Sequence, residues 1–146
     1  MRSTLLICLL IAALWGDVQA QDRAQTPATP SAERRDVLDA ARAQVQAQLG
    51  KPVRFEVKRL RQVDDWALLH AVMRDEHGQP ISYVGTRYEA ADRRGQKSAN
   101  YDALLLRQHG RWTVRVDSIG ATDVPWTNWS HDYGAPPALF AGSARD

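Results

Sequence analysis

The chain has 146 residues, of which 44% are hydrophobic and 25% charged, and its formal net charge at pH 7 is +2. A chain of this length is expected to form one compact domain with a single core. The near-neutral charge argues neither for nor against an acidic partner. Because no stripe combines basic with aromatic residues, we do not expect nucleic acid to be a partner.

The amino terminus has the pattern of a secretory signal peptide. Arg2 gives a positive start, and residues 5–14 are an apolar stretch that is short for a bilayer span. Val18 and Ala20 supply the small residues that precede a cleavage site. We therefore predict that residues 1–20 are cleaved, that the protein is periplasmic or secreted, and that the mature chain has no transmembrane segment. An uncleaved membrane anchor is the alternative.

A helix is predicted after a polar leader. Residues 21–30 contain two prolines and few large apolar residues, which predicts disorder. From Ala32 to Leu49 the sequence favours helix, with Ser31 placed as N-cap and Gly50 as the stop. One apolar stripe is predicted on this helix, formed by Leu38, Ala41, Val45 and Leu49. Since no second long helical pattern follows, a sheet must cover this stripe.

Four or five mostly antiparallel strands are predicted after the helix. The first has alternating apolar residues whose phase shifts near Lys58-Arg59, which predicts a β-bulge. A turn at Asp64-Asp65 leads to residues 66–73, which are almost wholly apolar and predict a central strand. Residues 81–88 predict a short or edge strand, because Gly85 interrupts them. Residues 89–100 are charged and predict a loop without regular structure.

The clearest local signal is a hairpin over residues 101–119, with its turn at His109-Gly110. Its first strand is apolar at four successive positions, residues 103–106, so we expect both faces of that strand to be covered. In the second strand an alternating pattern predicts one buried face, formed by Trp112, Val114 and Val116.

Residues 120–146 lack periodicity but contain four large aromatic residues, so we expect an irregular tail packed on the domain. Together these patterns predict a single α+β domain over residues 31–146. Its amino-terminal helix would lie on a four- to five-stranded, mostly antiparallel sheet, as in cystatin-like folds.

Several segments carry a resemblance to a known group of proteins. They are Asp65-Trp66-Ala67, GRWTV at 110–114, IGATDVPW at 119–126, and YGAP at 133–136 with Leu139-Phe140, and they are spread over most of the mature chain. In these segments the chain resembles a family of small exported proteins of Gram-negative bacteria with no assigned function. The resemblance implies an exported α+β domain, and it carries over no catalytic residue.

Two segments contain the candidate binding residues. Residues 123–133 could stack tryptophan and tyrosine rings on a sugar or an apolar peptide, while polar groups fix hydroxyls or amides. The candidates there are Asp123, Trp126, Trp129, His131 and Tyr133. The alternative is that the two tryptophans are core anchors. In the predicted 89–100 loop, Arg93 and Arg94 form a basic patch with Lys97, which is either solvated charge or a contact for an acidic partner or an anionic envelope surface.

The sequence shows no catalytic or metal-binding pattern. Spaced histidines or carboxylates, a G-x-S-x-G elbow and a glycine-rich phosphate loop are all missing. The only cysteine, Cys8, lies in the predicted signal peptide, so the mature chain would have no disulfide and no thiolate nucleophile. His70, in a strand that looks buried, is expected to be a hydrogen-bonded core residue. We predict no cofactor and no metal.

These observations favour a non-enzymatic exported domain that binds a protein, peptide or glycan of the cell envelope. One alternative is a small enzyme with a pocket between helix and sheet that uses an Asp/His acid–base pair. Another is an inhibitor or immunity-type protein that acts through residues 89–100. The sequence alone does not separate this last class from the first.

Overall fold

The computed structural model describes residues 24–27 and 31–142, so the predicted signal peptide lies outside the described residues. Helix α1 (Ala32–Leu49) precedes four strands, β1 to β4, which are Arg54–Val63, Trp66–Arg74, Asn100–Gln108 and Arg111–Ile119. A short helix α2 (Glu89–Arg93) lies between β2 and β3. A second short helix α3 (Trp129–Tyr133) and a 3-10 turn (Pro137–Phe140) follow β4. Across the described ranges, no helix has the length and apolar character to cross a membrane.

The four strands form one antiparallel sheet in the order β1-β2-β3-β4, and α1 packs against β3 and β4. This is the predicted α+β arrangement of one helix on an antiparallel sheet. The strand predicted as central, β2, is paired on both sides, with β1 and with β3. The strand predicted to be covered on both faces, β3, is buried from Tyr101 to Leu105.

Helix α1 begins and ends as the sequence predicts. The Ser31 hydroxyl accepts the Arg34 backbone N–H at 3.0 Å, and Gly50 ends the helix with φ 67°. The buried stripe differs from the prediction at its first position, where Val37 takes the place of Leu38. Val37 continues the four-residue spacing of the buried residues, which are Val37, Ala41, Val45 and Leu49, and Leu38 is only half-buried beside them.

Both hairpin turns and the predicted bulge are present, and a second bulge changes one prediction. The register of β1 against β2 shifts between Val57 and Arg59, as predicted. In the β3–β4 pair, Leu104 faces Val116 and Leu105 faces Val114, so one extra residue is inserted in β4. The prediction that Val116 shares a face with Trp112 and Val114 is therefore wrong, because a one-residue shift turns Val116 to the other face.

Each face of the sheet has its own apolar cover. Helix α1 covers one face. Residues 121–142, which we call the carboxyl segment, cover the other face. This segment contains helix α3 and the 3-10 turn, whereas the prediction was a wholly irregular tail. The side chains buried between the carboxyl segment and the sheet are Val63, Leu68, Leu104, Trp126, Trp129, Ala135 and Leu139.

The connection from β2 to β3 differs most from the prediction. Residues 81–88 form turns rather than a strand, and the predicted 89–100 loop contains α2 and the first residue of β3. The strand prediction is wrong because Ile81 and Tyr83 bury their side chains against the α1 side of the sheet without a strand partner along 82–88. Within the predicted leader, Gln25 exchanges two backbone hydrogen bonds with Gln62 at 2.7 and 2.6 Å, so disorder does not describe that position.

Candidate functional site

The predicted aromatic surface is divided between core and solvent. Trp126 and Trp129 are only 5% and 6% exposed and pack on the sheet, so neither presents a free ring face for a ligand. Their predicted companions Asp123, His131 and Tyr133 are exposed. The rings and the polar groups therefore do not line one common surface. In this structure the tryptophans act as anchors of the carboxyl segment.

A buried polar pair lies beneath the carboxyl segment. His70 on β2 and Asp102 on β3 are register partners, and the imidazole Nδ1 is 2.9 Å from Asp102 Oδ1. Their side chains are 12% and 4% exposed. The Trp126 ring lies over the imidazole, with 4.1 Å between ring centroids. His70 is thus the hydrogen-bonded core residue that its strand predicts.

The His70–Asp102 pair has the groups of an acid–base couple, but its free imidazole nitrogen is buried and not accessible to a substrate. An imidazole that donates its Nδ1 proton to a carboxylate keeps Nε2 as a proton acceptor. Here Nε2 is buried and has no hydrogen-bond partner within the described residues. A substrate could reach Nε2 only if the residues that bury it moved. Asp102 was not singled out from the sequence, because its partner is 32 residues away and is found only by aligning β2 with β3.

Residues 82–97, which we call the connecting segment, hold the second candidate site. Tyr83 is its anchor: the ring is 2% exposed, and the hydroxyl donates to the Ser98 carbonyl at 2.6 Å. Burial, reinforced by the charge of Asp92, raises the pKa of Tyr83 well above its usual range. The Tyr83 carbonyl in turn accepts both the backbone N–H and the hydroxyl of Thr86, at 3.0 and 2.7 Å. Side chain and backbone are thus both fixed at this position.

The turn after Tyr83 presents an apolar side chain to solvent. Val84 is 68% exposed, the most of any large hydrophobic residue in the described ranges. Its conformation is held from outside the turn, because Lys51 Nζ donates to the carbonyls of Ser82 and Val84 at 2.8 and 2.9 Å. The Gly85 N–H donates to the Glu89 carboxylate at 2.8 Å. Val84 is therefore displayed on an ordered backbone.

Two cations of the connecting segment lie against the Tyr88 ring. Arg87 Nη2 donates to Gln48 Oε1 and to the Tyr88 hydroxyl, each at 2.6 Å. The Arg87 guanidinium and the Lys97 ammonium lie 4.8 and 4.6 Å from the centroid of the Tyr88 ring. Burial, and secondarily the charge of Arg87, lowers the pKa of Lys97. The Tyr88 ring thus contacts two cations.

The predicted basic residues Arg93 and Arg94 belong to the same segment and are exposed. Arg93 forms an ion pair with Glu89 at 3.1 Å, and Arg94 donates to Gln96 at 3.1 Å. The connecting segment contains four cations (Arg87, Arg93, Arg94, Lys97) and two carboxylates (Glu89, Asp92). Its net charge of +2 therefore equals that of the whole chain.

Sequence reasoning found the basic residues of this site but missed its apolar centre. The local pattern predicts a strand for Val84 and its anchor Tyr83, and no local pattern points to Lys51. The only sequence signal was a glycine, Gly85, beside an apolar residue in a charged stretch. Elsewhere, within residues 24–27 and 31–142, no group of three or more histidine, cysteine, aspartate or glutamate side chains could hold a metal ion.

No protein-family model, no curated protein and no solved structure matches this chain. The resemblance to small exported proteins of Gram-negative bacteria therefore stays a prediction. The case for function rests on the geometry of the two candidate sites.

Proposed function

We propose that this chain is an exported, non-enzymatic domain of the cell envelope that binds another protein through the connecting segment. The observation that carries the proposal is Val84, an apolar side chain exposed to solvent on an ordered turn whose carbonyls Lys51 holds. Export is supported by the signal-peptide pattern of residues 1–20. Mass spectrometry of the mature amino terminus tests export separately, with Gln21 expected as the first residue.

An ordered turn favours a binding role because ordering is a cost of association. Fixing a loop or side chain on binding costs about 0.5–1.5 kcal/mol for each immobilised side chain. In the connecting segment, Lys51, Tyr83 and Thr86 already hold the turn in the free protein. A partner that buries Val84 therefore gains the apolar contact without first having to order the backbone.

The exposed groups fit a protein or peptide better than a glycan. Sugar binding relies on the open face of an aromatic ring, and Trp126 and Trp129 have none. Among the exposed large hydrophobics of the described ranges, Tyr133 is the only aromatic residue, at 37%, and the other two are Val84 and Val124. The inhibitor or immunity alternative is the special case in which the bound protein is an enzyme.

The test uses a photo-crosslinking amino acid placed at position 84 of the full chain in a Gram-negative host. Val124, which is 41% exposed on the carboxyl segment, gives the matched control position. We expect one adduct of defined mass from position 84 and none from position 124. Excess mature chain should suppress the adduct, whereas excess Val84→Ser chain should not. Equal adducts from both positions, or none from position 84, would reject the proposal.

A second candidate function is a small enzyme that uses the His70–Asp102 pair. It is favoured by the unpartnered Nε2 atom of His70 and opposed by the cover that Trp126 places over the imidazole. The variant His70→Gln distinguishes the binding role from the enzymatic role. The binding role requires the position-84 adduct to persist in this variant, whereas the enzymatic role requires turnover of an identified substrate to be lost.

A further inference from the structure

We infer that the partner offers the connecting segment an acidic polypeptide stretch that contains an apolar residue among its carboxylates. This inference rests on the proposed function and adds the chemistry of the partner. It is carried by the net positive charge of the connecting segment and by Lys51, whose ammonium lies against the backbone at Val84.

The connecting segment carries a formal net charge of +2, from four cations and two carboxylates. Strand β1 carries +3, but three of its cations contact groups of the chain itself: Lys58 pairs with Glu56, and Arg59 and Arg61 donate to the Gly142 and Ala141 carbonyls. Lys51 adds a further cation against the carbonyls of Ser82 and Val84. One of the two local carboxylates, Glu89, is occupied by the Gly85 N–H and by Arg93. The net positive charge of the connecting segment favours the approach of an acidic partner.

The Arg87–Lys97 pair is the most specific feature for a carboxylate. Both cations lie against the Tyr88 ring, and their positions are fixed by hydrogen bonds, from Arg87 to Gln48 and from Lys97 to the Ile119 carbonyl at 2.6 Å. Burial, and secondarily the charge of Arg87, lowers the pKa of Lys97. A carboxylate bound beside Lys97 would favour its charged form and offset the repulsion from Arg87.

Because the site includes the exposed Val84 side chain, we expect its ligand to contain an apolar group as well as carboxylates. Exposed ion pairs contribute only about 0.2–1 kcal/mol each and weaken with salt. A buried contact to Val84 adds an interaction that salt does not screen. The combination of an apolar centre with a charged rim is typical of protein interfaces.

An anionic lipid surface fits this site less well. Membrane-binding basic clusters contain about four to eight freely extended cations, and stable anchoring takes a lipid chain or a large apolar face in addition. Here Arg87 and Lys97 are held against Tyr88, and the apolar element is the single side chain of Val84. These features favour a polypeptide, with its separately placed carboxylates.

The experiment titrates the mature chain with synthetic peptides and follows the amide chemical shifts of residues 82–97. The first peptide has glutamates on both sides of a central leucine. The second replaces the glutamates with glutamines, and the third replaces the leucine with serine. Vesicles that contain phosphatidylglycerol are tested alongside. We expect the glutamate–leucine peptide to bind, the glutamine peptide to bind at least about tenfold more weakly at low salt, and the serine peptide about threefold to tenfold more weakly.

Two double variants locate the binding surface. We expect the double variant Arg93→Gln, Arg94→Gln to lower the affinity for the glutamate–leucine peptide about threefold or more. The matched control is Arg111→Gln with Arg115→Gln, which removes two exposed arginines from β4 and should leave binding unchanged. The wild-type affinity should fall when the salt concentration rises from about 50 to about 500 mM.

Three outcomes would overturn the inference: equal binding of the glutamine and glutamate peptides, equal weakening by the two double variants, or binding to vesicles but to no peptide. If any of these occurs while the position-84 adduct forms as expected, the binding role stands and only the acidic partner is rejected. If the adduct is absent, the binding role itself is rejected, whatever the peptides do.

Discussion

The carboxyl segment and the connecting segment are both long stretches outside the sheet, yet they place their large side chains in opposite ways. The carboxyl segment turns Trp126 and Trp129 onto the sheet and has no backbone–backbone hydrogen bond to a strand between residues 122 and 142. Its strand hydrogen bonds come from side chains at its end, where Arg61 and Arg59 of β1 donate to the Ala141 and Gly142 carbonyls. The connecting segment is tied by hydrogen bonds from Lys51 and Tyr83 and leaves Val84 in solvent. The carboxyl segment is therefore held mainly by the burial of its side chains, whereas the connecting segment is held mainly by hydrogen bonds from Lys51 and Tyr83.

This difference shows why aromatic content is a poor guide to a binding surface in this chain. The aromatic residues are what keeps the carboxyl segment attached, so they are not available to a ligand. A segment that is already held by Lys51 and Tyr83 can leave an apolar side chain exposed at little cost in stability. Each of the following experiments tests one side of this contrast.

The largest effect is expected from Trp129→Ala. This change removes a 6%-exposed ring from the carboxyl-segment core and should lower the free energy of unfolding by about 3–5 kcal/mol. Val84→Ser, on the connecting segment, should change the free energy by no more than about 0.5 kcal/mol. Urea unfolding of both variants provides the measurement, with Trp129→Phe as a milder substitute if the alanine variant does not fold. Similar values for Trp129→Ala and Val84→Ser would contradict the contrast.

A smaller loss is expected from Gly120→Ala, which tests the frame of the connecting segment. Gly120 has φ +70°, and an added Cβ would lie 2.5 Å from the Tyr83 hydroxyl and 2.9 Å from the Ser98 carbonyl. Backbone strain alone costs about 1–3 kcal/mol, and the clash would also displace the Tyr83 anchor.

Gly78→Ala is the matched control, because Gly78 has φ +80° and nothing within 4 Å of an added Cβ. We expect Gly120→Ala to cost at least about 1 kcal/mol more than Gly78→Ala. It should also increase amide hydrogen exchange at residues 82–97, which Gly78→Ala should leave unchanged. Equal effects of the two variants would mean that Gly120 does not support the connecting segment.

The pair beneath the carboxyl segment should have a similar or smaller effect on stability. His70→Leu removes the Nδ1 donor from the buried Asp102 carboxylate and should cost about 1–3 kcal/mol. Adding Asp102→Val removes the carboxylate as well, so the double variant should lose less than the sum of the two single variants. Chemical denaturation of the four proteins gives the coupling energy. Simple additivity would show that the two side chains do not stabilise the fold as a pair.

The sequence predicts well those elements whose causes lie within a few residues. The cap of α1 at Ser31, the stop at Gly50 and the His109-Gly110 turn depend on local backbone chemistry. The bulge between Val57 and Arg59 is visible as a change of phase within one strand. All of these can be found without knowing which strands are neighbours.

The elements that escaped prediction depend on contacts between distant residues. Tyr83 is held away from a strand by the Ser98 carbonyl and by the space that Gly120 leaves, and neither is apparent in the local pattern. The position of Trp126 over His70 depends on how the carboxyl segment returns to the sheet. The two basic residues predicted for the candidate site were found, whereas its apolar centre became visible only in the fold.

The smallest expected effect is a change in the pKa of Lys97, which tests how closely Arg87 and Lys97 interact in the connecting segment. Burial is the main cause of its lowered pKa, and Arg87 is the second. Arg87→Gln should therefore move the pKa of Lys97 part of the way back towards 10.5. A side-chain NMR titration measures this directly, with Arg94→Gln, which removes an exposed arginine on the same segment, as the control that should leave it unchanged.

The lowered pKa of Lys97 also makes the stability of the fold depend on pH. Between the folded-state pKa of Lys97 and 10.5, the unfolded chain keeps a proton that the folded chain has released. Stability at this site therefore rises with pH through that window, and Arg87→Gln should narrow the window. Binding of the glutamate–leucine peptide to the wild-type chain should also raise the pKa of Lys97, because a carboxylate favours the charged ammonium. A peptide that binds without moving this pKa would place its carboxylates away from the Arg87–Lys97 pair, and the Tyr88 ring would then serve only to hold the two cations in the frame.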